Sequence, residues 1–337
     1  MEEIVDIAVI GAGPCGLAVG AAARVAGLEA MLFDRGCITS SIVDYPTYMT
    51  FFSTPERLEL EDVPFVVAAD KPTRREALVY YRRVARHFAL QIRQWEEVVE
   101  VRGTEGDFTV VTRKRAGGEG RVRARAVVVA TGALAEPNML GIPGEESDHV
   151  SHAFREPLPY SDQDVLVVGG GNSAVEAALD LFRAGARVTL VHFEDRFDRG
   201  VKPWILPDIT NRILADEVDV RWRTRLTCIE PGVVHVRHTE TGEESRIRND
   251  WVFALTGWRP DHPFLRRLGI GVDAETGIPT HSPETMETDV PGIYLAGVLV
   301  AGNHANRIFI ENGRHHGRII VRSVQGRAET RGWHRAR

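Results

Sequence analysis

The chain has 337 residues, of which 43% are hydrophobic and 26% are charged. This size and composition indicate a folded protein with room for two domains, and they exclude a disordered chain and a disulfide-stapled miniprotein. The formal net charge of −6 argues against a dedicated nucleic-acid-binding protein, because such proteins usually present a basic face.

The chain shows no targeting signal and no metal-ligand pattern. Its acidic start, MEEIVDIAV, is unlike a signal peptide, and no apolar run approaches the ~18 residues of a membrane span. The predicted location is therefore the cytoplasm, without a membrane partner. The three cysteines include no CxxC pair, which excludes a local redox dithiol and a zinc knuckle, and no metal site is predicted.

The first predicted unit is a strand, a glycine turn, a helix and a second strand. An apolar strand at residues 6–10 leads into GAGPCG at 11–16, a helix covers 17–26, and a strand at 30–33 precedes Asp34. Glycines allow close approach of a pyrophosphate, the helix N-terminus attracts it, and the carboxylate accepts hydrogen bonds from ribose hydroxyls. The pattern predicts a dinucleotide-binding unit.

An aromatic, loop-rich stretch at residues 44–72 follows, and then a helix at 73–90. Thr73 is the predicted N-cap of this helix, with Glu76 placed to complete a capping box. The next segments predict a three-stranded antiparallel meander and then a separate buried strand: residues 98–102, 108–113, 121–126 and 127–130.

A second copy of this plan begins near Asp164. GGGNSA at residues 169–174 fits GxGxxA, follows an apolar strand and opens a helix. A meander and a buried strand at 251–255 complete the copy, so the architecture is internally duplicated. A further strand is predicted at 289–296 and a single helix at 306–324. The predicted fold class is therefore α/β, with two Rossmann-like three-layer domains.

The residue after the second unit's second strand indicates which nicotinamide dinucleotide binds. His192 stands where a carboxylate would favour NAD by repelling a 2′-phosphate. Arg196, Arg199 and Lys202 are near in sequence and favour NADPH, although two acids among them oppose it, Glu194 and Asp195. The alternative interpretation is that these charges form only a solvated loop.

Five motifs follow one another in a fixed order: GxGxxG, ATG at 130–132, GxGxxA, TGWRP at 256–260 and TDVPGIYLAG at 288–297. This order resembles the two-dinucleotide-binding-domain flavoproteins over about residues 4–325, and the length points to their low-molecular-weight thioredoxin reductase branch. Two features depart from that branch: CxxC is missing, and Gly-Val replaces the usual Gly-Asp at Gly297. KPTRREAL, KPWILP and AGVLVAGNHANRIFIENGRHHG together resemble the bacillithiol disulfide reductases.

The resemblance implies FAD on the first domain, NADPH on the second, reduction of the disulfide of a small thiol, and a homodimer. The predicted FAD-binding residues are Gly11, Gly13, Pro14, Gly16, Asp34, Arg35, Phe51, Thr131, Gly132, Gly297, Val298, His304 and Ala305. The predicted NADPH-binding residues are Gly169, Gly171, Asn172, Ser173, Ala174, His192, Arg196, Lys202, Thr256 and Gly257.

Cys15 is the candidate catalytic residue, because a helix N-terminus favours a thiolate that attacks the substrate disulfide. The alternative is a small residue packed beneath the FAD pyrophosphate, whose charge opposes a thiolate. The other two cysteines are predicted to be inert. Phe51 is predicted to shield the flavin or to belong to a local core, and His304 and Ala305 are predicted near the flavin's pyrimidine end.

The predicted FAD domain is discontinuous, at residues 1–157 and 262–325, with the NADPH domain at 158–261 and a flexible basic tail at 326–337. Two other functions remain open at this stage. One is a ferredoxin or flavodoxin–NADP⁺ reductase of the thioredoxin-reductase-like type, which also lacks CxxC; the other is a non-enzymatic flavin redox sensor. A flavin monooxygenase is a third option, weakened because no second substrate-sized domain is seen.

Overall fold

A computed structural model describes residues 4–304 and 307–333. Their contacts divide the chain into two compact units. The first unit contains the described residues of 1–44, 48–136 and 259–337, and the second contains 45–47 and 137–258.

Strands and helices alternate along the chain. The strands are β1 Ile4–Ile10, β2 Ala30–Asp34, β3 Gln91–Gln94, β4 Glu96–Thr104, β5 Asp107–Lys114, β6 Glu119–Val129, β7 Glu136–Pro137, β8 Val150–Ser151, β9 Asp164–Val168, β10 Arg187–Val191, β11 Asp219–Arg221, β12 Thr224–Glu230, β13 Val233–His238, β14 Glu244–Arg248, β15 Trp251–Ala254, β16 Trp258–Arg259 and β17 Ile293–Leu295. The helices are α1 Pro14–Val25, α2 Ser40–Val43, α3 Pro55–Leu58, α4 Arg74–His87, α5 Asn172–Arg183, α6 Leu206–Leu214, α7 His262–Arg267, α8 Ile310–Gly313 and α9 His316–Arg331. Two 3₁₀ turns cover Leu158–Tyr160 and Val298–Ala301.

The first unit is built on a seven-stranded sheet in the order β3-β2-β1-β6-β5-β4, with β17 also paired to β6. Strands β3, β2, β1, β6 and β17 pair in parallel, and β4 and β5 add an antiparallel edge. Val9, Leu32 and Val128 are fully buried at the centre. Their near-continuous apolar runs are typical of parallel strands that are covered on both faces.

The second unit repeats this design on a five-stranded parallel sheet in the order β11-β10-β9-β15-β8. An antiparallel sheet, β12-β13-β14, packs its buried side chains with those of the parallel sheet, including Leu166, Val191, Val234 and Val252. The predicted α/β fold class and the internal duplication are confirmed by the two sheets, because each begins with a strand, glycine turn, helix and strand.

The sequence predicted the start of α4 correctly. Thr73 caps α4 by accepting a hydrogen bond from the backbone N–H of Glu76, whose side chain accepts from the Thr73 N–H, so the predicted capping box is confirmed. One predicted boundary between strands is wrong. Residues 121–126 and 127–130 do not form separate strands, because β6 runs through both while exchanging an antiparallel partner for parallel ones.

The C-terminal region also differs from its prediction. Instead of one helix at 306–324, the structure has α8 and then α9, which continues to Arg331; residue 306 lies outside the described residues. The segment predicted as a flexible tail is therefore helical up to Arg331. Arg327 donates hydrogen bonds to Glu105 and Glu287, and Arg331 donates to Glu105 at 2.7 Å. These ion pairs hold the last turns of α9 to the sheet, and 334–337 lie beyond the described residues.

Apart from residues 45–47, the chain passes from the first unit to the second at residues 136/137, whereas the predicted boundary is 157/158. The reason is that β8 pairs with β15, which places residues 137–157 in the second unit. The return crossing at 258/259 is close to the predicted 261/262. Among the described residues, no helix combines the length and apolar character needed to cross a membrane.

Candidate dinucleotide sites

The first glycine turn joins β1 to α1 and requires glycine at two positions. Gly11 has a φ of +111°, and a Cβ placed there would lie 2.4 Å from the carbonyl oxygen of Ala130. A Cβ on Gly16 would lie 2.0 Å from the carbonyl oxygen of Gly11. Both contacts are far inside van der Waals distance, so the turn packs directly against the end of β6 and brings α1 close to the sheet.

The start of α1 fits a pyrophosphate. Gly13 is the N-cap residue, no side chain of the described residues caps the helix by a hydrogen bond, and Pro14 follows at the first helical position. A Cβ on Gly13 would meet no other atom closer than Ser41 Oγ at 4.0 Å, so the outer side of the turn is open. Exposed first-turn amides above an open glycine provide donors and positive potential for an anion.

Asp34 ends β2 beside this turn and is 8% exposed. Its Oδ2 accepts from the N–H of Ala12 at 2.8 Å, and its Oδ1 accepts from the N–H of Gly36 at 2.8 Å and from Ser40 Oγ at 3.1 Å. The carboxylate is thus fixed against the glycine turn and retains lone-pair capacity for a ribose hydroxyl. The adjacent Arg35 is exposed.

The Cys15 side chain lies close to Gly297 and Gly313, although the three residues are far apart in sequence. A Cβ on Gly297 would lie 3.0 Å from Cys15 Sγ, and a Cβ on Gly313 would lie 2.9 Å from the same sulfur. The thiol therefore lies between two glycines from the end of β17 and from α8. Burial raises the pKa of the Cys15 thiol to about 12, so little thiolate is present at neutral pH.

His316 contacts the end of β17, a placement that the sequence did not predict. Its Nδ1 accepts a hydrogen bond of 3.1 Å from the N–H of Gly297, where the expected Asp of a Gly-Asp ending is replaced by Val298. His316 is 9% exposed, whereas its neighbour His315 is exposed. Burial, with the nearby His281 and His315, lowers the pKa of His316 to about 4, so the ring is neutral. The only sequence signal was the adjacent pair, which places the two rings on different faces of a helix.

The other predicted FAD-binding residues differ in how far they are exposed to solvent. Gly132 has a φ of +76° after β6, and Thr131 beside it is exposed. Phe51 is 6% exposed, and its N–H donates to the carbonyl of Pro72 at 2.9 Å. His304 is exposed, and Ala305 lies outside the described residues. The structure brings the glycine turn, Asp34 and Gly297 together in the first unit.

The second glycine turn joins β9 to α5 and repeats the first. Gly169 has a φ of +139°, and a Cβ there would lie 2.5 Å from the carbonyl oxygen of Leu255 and 3.1 Å from the Cβ of Ala174. Gly171 is the N-cap of α5, again without a side-chain cap, and Ser173 in the first turn is exposed. This unit therefore also fits an anionic nucleotide at a helix N-terminus.

Two predicted NADPH-binding residues make contacts within the protein. Asn172 Nδ2 donates to the carbonyl of Gly200 at 2.9 Å, and its Oδ1 accepts from the N–H of Lys202 at 2.9 Å. Asn172 thus fastens the loop after β10 to the start of α5. Thr256 Oγ1 donates to the carbonyl of Asn138 at 2.5 Å, and Gly257 follows with a φ of +92°.

His192 lies beneath the second glycine turn instead of facing solvent. It is 3% exposed, and a Cβ on Gly170 would lie 2.4 Å from its ring. Burial is the main reason that its pKa is lowered, and neither ring nitrogen has a hydrogen-bond partner among the residues that the structure describes. One oxygen each of Glu194 and Asp198 and a ring nitrogen of His192 lie within 4.8 Å of one another. His192 therefore offers no positive charge for a phosphate.

Each unit has one glycine turn between a parallel strand and the start of a helix, and these two turns are called the nucleotide cradles. Two such cradles define a two-dinucleotide-binding oxidoreductase of the flavoprotein class. Residues 8–297 match the family described as pyridine nucleotide-disulphide oxidoreductase, and the chain belongs to this family. Membership implies the use of a flavin and a nicotinamide cofactor.

The chain is 41% identical to the bacilliredoxin reductase Bdr of Bacillus subtilis (strain 168), over 95% of this chain and 97% of that protein. The solved structure of bacillithiol disulfide reductase Bdr (YpdA) from Bacillus cereus matches with a TM-score of 0.94 and 41% identity, covering 96% of this chain and 100% of that one. The Staphylococcus aureus counterpart matches with a TM-score of 0.91 and 39% identity, covering 96% and 99%. These findings confirm the predicted resemblance.

Proposed function

We propose that this protein is an FAD-dependent enzyme that transfers electrons from NADPH to the disulfide of a low-molecular-weight thiol, with bacillithiol disulfide as the substrate. The observation that carries the proposal is the pair of nucleotide cradles in a chain without CxxC. Proteins named as bacillithiol disulfide reductases share this chain's length and 39–41% of its residues. NADPH, one proton from solvent and the disulfide give NADP⁺ and two thiols, because the hydride of NADPH supplies the two electrons that break the S–S bond.

FAD is proposed for the first unit because its cradle suits a dinucleotide with an unphosphorylated ribose. The open side of Gly13 and the uncapped start of α1 would hold the pyrophosphate, and Asp34 would accept from the ribose hydroxyls. A bound flavin supplies hydride acceptance, a chemistry that protein side chains lack. His316 would hold Gly297 in its left-handed conformation at the end of β17.

The second unit is proposed to bind the nicotinamide donor. Gly169 and Gly171 keep side chains out of the turn, and the amides of the first turn of α5 would donate hydrogen bonds to its pyrophosphate. Arg196, Arg199 and Lys202 near the end of β10 are the basis for choosing NADPH. Homodimer formation is proposed on the resemblance alone, and light scattering of the purified protein tests it.

The role of Cys15 remains a prediction with two alternatives. A nucleophile must lose its proton, and the pKa of about 12 opposes this before substrate binds. The enclosing glycines suit a packing role, since any larger residue at 297 or 313 would contact the sulfur.

An anaerobic half-reaction tests the proposal. The purified holoenzyme is reduced with NADPH, freed of excess nucleotide and mixed with bacillithiol disulfide, while the flavin absorbance band is followed. We expect prompt return of the band and release of two thiols per flavin. Cys228→Ala, which changes a cysteine of the second unit, is the control for general cysteine effects.

The outcomes separate function from the role of Cys15. If the band returns in the unchanged protein and not in Cys15→Ala, the result supports both the reductase function and Cys15 as the nucleophile. If the band returns in both proteins, the result supports the reductase function and leaves Cys15 as a packing residue. Failure in both, with rapid return on adding ferredoxin, would replace the proposal with an electron-transfer reductase. The name of the Bacillus subtilis relative favours oxidised bacilliredoxin as a second acceptor, to be tested in the same assay.

A further inference from the structure

An exposed tryptophan lies at the end of the strand next to the one that carries Asp34. β3 is the edge strand beside β2, and its last residue, Gln94, is in register with Asp34. Trp95 follows directly, between β3 and β4, and is 46% exposed. Because neighbouring strands lie about 4.8 Å apart, Trp95 stands at the carboxyl end of the sheet, one strand beyond the proposed ribose acid.

Hydrogen bonds fasten the end of β3 to the loop after β2. The N–H of Trp95 donates to the carbonyl of Gly36 at 2.8 Å. The N–H of Ile38 donates to Oε1 of Gln94 at 3.1 Å. The N–H of Gly36 donates in turn to Oδ1 of Asp34 at 2.8 Å. Trp95 and the carboxylate of Asp34 are therefore held by the same backbone turn, which fixes the backbone of one relative to the other.

The backbone of Trp95 has a conformation that suits glycine better than a bulky residue. Its φ is +57°, in the left-handed region. The residue is held there through both of its peptide groups, because its carbonyl also accepts from the N–H of Arg115 at 2.9 Å. Strained residues of this kind concentrate at ligand sites, where the surrounding structure enforces them. A large ring at such a position indicates a role for the ring itself.

Arg115 supplies a positive charge to the indole of Trp95. The carbon of its guanidinium group lies over the ring, 4.6 Å from the ring centre, a favourable cation–π distance. The nearby Arg113 pairs with Glu97, whereas Arg115 has no ion pair with a carboxylate among the described residues. Arg115 thus occupies one face of an indole that remains half exposed.

The order of the strands places the base of a bound dinucleotide near Trp95. The proposed pyrophosphate position is the start of α1, which follows β1, and the ribose position is Asp34 at the end of β2. The base is bonded to the ribose and lies on the side away from the pyrophosphate. Since β3 is the next strand of the sheet after β1 and β2, the base meets the residues at the end of β3.

We propose that the indole of Trp95 stacks on the adenine of FAD and that Arg115 holds the indole in this position. Stacking on an aromatic ring suits adenine, because every base has a π face. The pair would anchor the adenosine end of the cofactor, while the start of α1 and Asp34 hold the pyrophosphate and the ribose. The inference rests on the proposed function, because it concerns the FAD of that reaction.

The test measures release of FAD from the purified holoenzyme without turnover. The dissociation constant for FAD is obtained from the flavin fluorescence that appears when the holoenzyme is diluted. Trp95→Leu should raise this constant about tenfold, which equals 1.4 kcal/mol and is typical of a lost base–aromatic stack. Trp95→Phe keeps an aromatic ring and should stay within about threefold of the unchanged protein. Arg115→Gln should raise the constant about threefold.

Two further variants separate stacking from folding. Trp95→Gly removes the ring and relieves the left-handed backbone, so it should release FAD as readily as Trp95→Leu while its far-UV circular dichroism spectrum is unchanged. Trp204→Leu changes an exposed tryptophan of the second unit, and as the matched control it should leave the dissociation constant for FAD unchanged.

The outcomes also separate this inference from the proposed function. If Trp95→Leu holds FAD as tightly as the unchanged protein, or if Trp95→Phe loses FAD as readily as Trp95→Leu, the stacking role is overturned and the FAD-dependent reductase stands. If the purified protein holds no FAD, the proposed function fails and this inference fails with it.

Discussion

The backbone N–H of Gly297 donates a hydrogen bond of 3.1 Å to Nδ1 of His316, which joins the end of β17 to the start of α9. As an acceptor, Nδ1 carries no proton, so the neutral ring carries its proton on Nε2. Gly297 has a φ of 84° and lies against the thiol of Cys15, so this bond fixes the turn that faces the first glycine motif.

Replacing His316 with Leu should therefore weaken flavin binding and destabilise the first unit. The Gly297 N–H would lose its partner in a buried place, at a cost of about 1–3 kcal/mol. Thermal unfolding and flavin retention after gel filtration measure both effects. His316→Asn, whose Oδ1 can accept in place of Nδ1, should recover part of the loss, and His315→Leu on the exposed side should have little effect. Equal losses in the Leu variants at 315 and 316 would contradict this role.

Cys15 should be alkylated slowly in the folded protein. A pKa raised from 9.0 to about 12 reduces the thiolate at pH 7.5 about a thousandfold relative to a free cysteine. Iodoacetamide labelling followed by mass spectrometry of the Cys15 peptide measures the rate, and the same labelling in urea provides the unfolded reference. A folded-state rate close to the urea rate would refute the raised pKa.

Arg327→Ala should destabilise the first unit, because it leaves two nearly buried carboxylates without their shared partner. Glu105 and Glu287 have side chains that are only 7% and 11% exposed. We expect a loss of about 2–3 kcal/mol in the free energy of unfolding, measured by urea denaturation.

Arg102→Ala is the matched control for Arg327→Ala, since it removes an exposed pair with Glu100 and should leave stability unchanged. Similar losses in the two variants would show that the C-terminal part of α9 is not held by its ion pairs.

Glu176→Gln should stabilise the protein at pH 8 and not at pH 5. Desolvation, with the charge of Asp180, raises the pKa of Glu176 from 4.5 to about 7. Folding therefore opposes ionisation of this carboxyl, and the cost appears as pH rises above 4.5 and is complete above 7. Partial exposure to solvent reduces the gain at pH 8 to about 1–2 kcal/mol. The free energy of unfolding is compared at the two pH values with Glu243→Gln as control, and a gain that is the same at both would be inconsistent with the shifted pKa.

Short-range patterns determined most of the fold in advance. The glycine motifs, the acid after the second strand and the capping box at Thr73 could be recognised from short stretches of sequence, because each is a pattern of residue types at fixed spacing within one strand–helix–strand unit or one helix start. The same is true of the duplication, since each copy carries its own strand, turn and helix signals. The failures were at places where pairing decides the element: β6 exchanges partners along its length, and β8 is recruited by β15.

The sequence by itself determined that two glycine cradles follow two parallel strands, because glycine's lack of a Cβ is a property of single positions. Only the tertiary structure decided what surrounds them. It set Gly297, Gly313 and Cys15 together, turned His316 inward to the Gly297 N–H, and buried His192 beneath the second cradle. Burial and charge pairing depend on residues that are distant along the chain, and the resulting shifts in pKa follow from that packing.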